Sequence, residues 1–98
     1  MAKIKINNFI IGDKYPPAII VELGINHSGN LDKAIHLVDL AKKNGANIIK
    51  HQTHIPNEEM SSSAKNIIPG NAKESIFDVI NKNCLSLNKE KKLADYIR

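Results

Sequence analysis

Ala18-Ile19-Ile20-Val21-Glu22, followed after a helix-length interval by Asn47-Ile48-Ile49-Lys50-His51-Gln52, is the pair of segments that decides the fold. Each is a short β-branched run that begins apolar and ends polar. Neither alternates cleanly, which predicts strands buried on both faces, as in a parallel sheet. Between them lies a helix pattern. Asn30 is a good N-cap and Asp32 sits in the first turn, where negative charge suits the helix dipole. Leu31, Ala34, Ile35, Val38 and Ala41 recur at spacings of three and four, and Asn44-Gly45 is a stop signal. Residues 18–52 therefore read as one right-handed β-α-β unit with parallel strands.

Outward from that unit, Lys3–Ile6 and Phe9–Gly12 flank Asn7-Asn8 and predict a β-hairpin. Tyr15-Pro16-Pro17 closes a connector. Residues 53–70 read as a long loop with a short helical turn near Ser63–Asn66, and loops of that length are commonly functional. A helix is expected over about 73–83, with Asn71 and Glu74 at the spacing of a capping box. Asn88 is expected to cap a last helix striped by Leu93, Tyr96 and Ile97. Two parallel strands are too few for a finished sheet, and a (β/α)8 TIM barrel takes about 250 residues. The expected fold is α/β: an opening hairpin and connector over 1–17, then the first β-α-β-α units of a truncated (β/α)8 barrel over 18–98.

Composition narrows the function. The 98 residues carry a formal charge of +4, but the lysines are scattered, Trp is absent and Arg98 is the only arginine. Stacking platforms and bidentate base readers are scarce, so no nucleic-acid partner is expected. Cys84 is the only cysteine and excludes an internal disulfide. The longest apolar run, Ala18–Val21, is too short for a bilayer or a secretory signal, so no membrane partner and a cytoplasmic location are expected.

Parallel α/β folds gather their ligands at the carboxyl ends of strands. Side chains alternate along a strand, so Lys50 and Gln52 share a face with Ile48, while Ile49 and His51 look toward the helices. The same alternation pairs Ile20 with Glu22. Glu22, Lys50 and Gln52 thus converge on one end of the unit. An inward lysine can hold a phosphate or carboxylate, and an inward glutamate can orient hydroxyls or move a proton. A plain ion pair at a barrel mouth fits the same residues. Gly24-Ile25-Asn26-His27-Ser28-Gly29 lacks the Lys-Ser/Thr of a P-loop. His51-x-x-His54 would point to opposite faces of a strand, and no metal site is expected within this chain.

The ordered set Glu22-Leu23-Gly24-Ile25-Asn26-His27-Ser28-Gly29-Asn30, Ala41–Ala46, Ile49-Lys50-His51-Gln52-Thr53-His54-Ile55, Glu59-Met60-Ser61 and Ile68-Pro69-Gly70-Asn71-Ala72 resembles the bacterial N-acetylneuraminate (sialic acid) synthase family. The resemblance covers roughly residues 3–80. It implies the N-terminal part of a (β/α)8 barrel, with the rest of the barrel and a C-terminal antifreeze-like domain not in this chain, and a homodimer for the full-length parent. It implies an enzyme that condenses phosphoenolpyruvate with N-acetylmannosamine, releasing phosphate, and a Mn²⁺ or Mg²⁺ ion whose ligands lie on later strands. By position, Lys50 matches the catalytic lysine on phosphoenolpyruvate and Gln52 a polar neighbour there. Glu22 matches a catalytic glutamate at the sugar end, and Asn71 an asparagine of the sugar pocket. Relatives that make legionaminic or pseudaminic acid are the alternative within the family. A non-catalytic product of a broken gene is the alternative outside it, and the 98 residues alone are expected to be inactive.

Overall fold

The computed structural model describes residues 2–98; Met1, at the start of the expected N-terminal section, lies outside them. Strands β1 (Lys3–Ile6) and β2 (Phe9–Gly12) form an antiparallel hairpin in the register Lys3↔Gly12 to Ile6↔Phe9. Asn7 takes φ 47° in the turn, a conformation that asparagine tolerates better than most residues. The hairpin is a sheet of its own. The second sheet holds β3 (Ile20–Gly24) and β4 (Ile48–His51), which are parallel as the β-α-β reading requires.

Between them runs α1 (Leu31–Lys43). Asn30 caps it as expected, its side chain accepting from the Lys33 N–H at 2.9 Å. Ala34 and Val38 face inward and meet Leu23 of β3, Leu93 of α4 (Leu87–Ile97) and Leu85 in the preceding connector. These five residues are the core, and Ile49, Leu31, Ile35, Leu37 and Ile97 pack around them. All the buried apolar residues therefore lie on one side of the β3–β4 pair or in the helices that cover it.

Four expectations are corrected. The first strand begins at Ile20 rather than Ala18 and runs two residues past Glu22 to Gly24. Ile19 instead joins the ladder from outside, its carbonyl accepting from Asn47 and Ile48. Burial on both faces is not seen: Ile20 is 56% exposed, because among the described residues nothing packs over that face. The third helix, α3 (Ile76–Asn83), starts later than expected and is capped by Ser75, whose hydroxyl accepts from the Asp78 N–H at 3.0 Å. Asn71 is exposed in a turn closed by Ala72 N–H to the Pro69 carbonyl. In α4 the cap is Ser86, not Asn88. Of its expected stripe, Leu93 is fully buried, while Tyr96 is half exposed and donates its hydroxyl to Asp39.

The long loop is more ordered than its sequence suggests. The turn expected near Ser63–Asn66 is a 3₁₀ turn over Ala64–Asn66. A one-turn helix, α2 (Pro56–Glu59), precedes it. Pro56 opens this turn where a missing N–H costs nothing. Glu59 reaches back to accept the Ile55 N–H at 3.0 Å, and its carboxylate also meets His54 Nδ1.

Candidate functional site

The parallel register sets Glu22 directly opposite Lys50. Their side chains meet on the open face of the sheet, with Lys50 Nζ donating to Glu22 Oε1 at 2.9 Å. The two are 68% and 58% exposed, so water competes for the pair and both groups remain free to exchange partners. Each stabilises the other's charge. The ammonium hydrogen bond, with its Coulombic attraction, lowers the pKa of Glu22, and the same contact raises that of Lys50. At neutral pH the site is one carboxylate beside one ammonium.

The register then breaks. Gly24, not Leu23, is the partner of His51, so Leu23 is an extra residue in β3. Leu23 points into the core at 3% exposure, on the face opposite Glu22, while Glu22 keeps its place opposite Lys50. Gly24 follows with φ +55°, a conformation that favours glycine. Glu22, Gly24, Lys50 and Gln52 line a cleft of about 60 Å³ at the strand ends. A Cβ at Gly24 would stand 4.0 Å from Gln52 Oε1, an ordinary contact, so the positive φ rather than crowding is what favours glycine there. Glu22, Lys50 and Gln52 are thus brought together; Asn71 does not line the cleft.

The opposite face of the same strands carries a second polar group. His51 Nε2 meets Glu90 Oε2 at 2.6 Å, and the Thr53 hydroxyl donates to the same oxygen at 3.1 Å. Here the exposures are only 13% and 9%. His27, 1% exposed in the turn after β3, stacks obliquely on His51 with ring centroids 5.5 Å apart. Burial, followed by the neighbouring His51 and His54, holds the His27 pKa below the ordinary histidine value; Glu90 and the Gly24 carbonyl oppose them. Alternation along the strand gives the direction of His51, toward the helices. Its partner could not be read, because Glu90 lies 39 residues away and looks in sequence like a mere interruption of Lys89–Lys92.

The divalent ion implied by the resemblance does not fit the residues here. Among the described residues no three His, Cys, Asp or Glu side chains are gathered as such an ion needs. His51 and His54 engage separate carboxylates, Glu90 and Glu59. Among the described residues no helix is long and apolar enough to cross a membrane.

Parallel α/β proteins commonly bind ligands at the carboxyl edge of the sheet, and this parallel unit presents a carboxylate, an ammonium and an amide there. Comparison with known proteins narrows the class. The NeuB family model matches residues 37–98, and the chain belongs to that family. It is 46% identical over 52 residues to the spore coat polysaccharide biosynthesis protein SpsE of Bacillus subtilis, covering 53% of this chain. It is 45% identical over 47 residues to a pseudaminic acid synthase of Campylobacter jejuni, covering 48%. The crystal structure of Bacillus subtilis SpsE superposes with a TM-score of 0.61 at 30% identity, over 97% of this chain. The chain spans 14% of the length of each of these two curated relatives and 24% of the solved chain.

Proposed function

We propose that this chain forms the entry section of a (β/α)8 nonulosonate synthase, with β3 and β4 as neighbouring barrel strands. The enzyme joins phosphoenolpyruvate to N-acetylmannosamine, giving N-acetylneuraminate and phosphate. The observation that carries the reading is the Glu22–Lys50 pair, set side by side at the strand ends with Gln52 in the same cleft. Family membership and the likeness to a pseudaminic acid synthase support it.

The chemistry asks for these groups. Carbon 3 of phosphoenolpyruvate attacks the open-chain aldehyde of the sugar and forms the new C–C bond. Water adds at carbon 2, and phosphate leaves with cleavage of its C–O bond. In this proposal Lys50, a point charge on a flexible stem, meets an anionic group of phosphoenolpyruvate, while Gln52 hydrogen-bonds beside it. Glu22 gives up Lys50 as substrate arrives and turns to the sugar hydroxyls. Asn71 closes on the sugar from the long loop. The parent works as a homodimer in the cytoplasm. Its Mn²⁺ or Mg²⁺ would be held by residues outside this chain.

In the full-length parent, Lys50→Ala is expected to lower kcat/KM for phosphoenolpyruvate about a hundredfold, measured by phosphate release. Unchanged kinetics would remove Lys50 from the site and take the reading with it. The pseudaminic acid synthase likeness favours a second reading, in which the acceptor is a 2,4-diacetamido sugar. Competing that sugar against N-acetylmannosamine decides between the two.

A further inference from the structure

Three buried polar atoms behind the candidate site have no hydrogen-bond partner: His27 Nε2, His51 Nδ1 and Glu90 Oε1. Two of them are complementary. The Gly29 N–H donates to His27 Nδ1 at 3.1 Å, so that nitrogen carries a lone pair and the neutral ring keeps its proton on Nε2. His51 Nε2 faces the Glu90 carboxylate and donates to it, which leaves Nδ1 of the neutral ring as an acceptor. One ring thus offers a spare donor and the other a spare acceptor, with centroids 5.5 Å apart. Buried groups of this kind are normally paired, directly or through an ordered water.

We propose that His27, His51 and Glu90 form a hydrogen-bonded relay that positions Lys50. It runs from the Gly29 N–H through His27 and His51 to Glu90, closed by a bond from His27 Nε2 to His51 Nδ1, direct or through one water. The role given to Lys50 rests on the function proposed above. Lys50 and His51 are adjacent in β4, so their side chains leave opposite faces, and fixing one ring fixes the direction of the other residue. The bulge at Leu23 makes this necessary. With an extra residue in β3, a one-residue slip of β4 would carry His51 to the cleft and Lys50 into the core. A well-packed apolar side chain at 51 would stabilise the core at least as well as a buried histidine–carboxylate hydrogen bond; what it would lack is the directional, register-setting contact.

The test has two readouts on the full-length parent. Imidazole ¹⁵N NMR is expected to find both His27 and His51 protonated on Nε2 with Nδ1 bare. A proton on Nδ1 of the neutral form of either ring overturns the relay. Glu90→Gln keeps the shape of the side chain and His51→Phe keeps the ring. Each is expected to raise KM for phosphoenolpyruvate about tenfold with a smaller change in kcat, the mark of a displaced binding group. Folded variants with wild-type kinetics, alongside a crippled Lys50→Ala, overturn the positioning role. If Lys50→Ala itself is silent, the functional reading fails, and with it the purpose given to the relay. The ¹⁵N signals then decide whether the hydrogen-bonded chain exists at all.

Discussion

The two faces of the β3–β4 pair hold carboxylate contacts of similar length and opposite character. On one face Glu22 and Lys50 meet at 2.9 Å in open solvent. On the other, His51 and Glu90 meet at 2.6 Å almost out of reach of water. Water screens the first pair, so its loss should scarcely be felt by the fold. The second pair excludes water, so removing one partner strands the other. The strands thus separate a face that holds the molecule together from one left free to meet a ligand.

Breaking the buried face should give the largest effect. Glu90→Ala leaves His51 and Thr53 facing an empty space and is expected to cost about 3 kcal/mol or more in urea unfolding. Lys50→Ala and Glu22→Ala should leave the unfolding midpoint where it was; a large shift in either would erase the distinction between the faces. The next effect depends on pH. The His27 pKa is lowered by burial in the fold, so the unfolded chain binds a proton at that position before the folded one does. Its contribution to stability is therefore complete above about pH 6.5 and falls as pH drops toward the folded value. His27→Gln should flatten that part of a stability–pH curve, and an unaltered slope would show that His27 is not buried as a neutral ring. The smallest effect concerns the helices. Ser75→Ala should cost about 1 kcal/mol, while Asn71→Ala leaves stability unchanged.

The legible parts of this molecule were those decided by neighbours in sequence. Asn30 and Asn44-Gly45 bound α1, and Asn7-Asn8 marks the hairpin turn, because caps and turns are local chemistry. The Glu22–Lys50 pairing followed from one β-α-β unit and side-chain alternation. Errors arose where two local answers competed. Asn71 and Ser75 both suit a helix start; Ser75 is the cap, directly before Ile76 and with its hydroxyl on the Asp78 N–H. Pro56-Asn57-Glu58-Glu59 carried a readable helix signal, a proline at the first position with acids behind it, inside a segment read mainly as loop. The His27–His51–Glu90 group had no local signal, since its members are joined only by the fold.

Gly29 shows how much can depend on an atom that is not there. Its φ is +74°, and a Cβ built on it would stand 3.2 Å from the Cys84 carbonyl oxygen and 3.5 Å from that of Lys82. Main chain lies against main chain at this spot, joining the entrance of the first long helix to the end of the third across more than fifty positions of sequence. Any methyl group introduced there would act as a wedge. The main chain at Cys84 would have to yield by a few tenths of an ångström, and the left-handed φ would be strained whatever space was made.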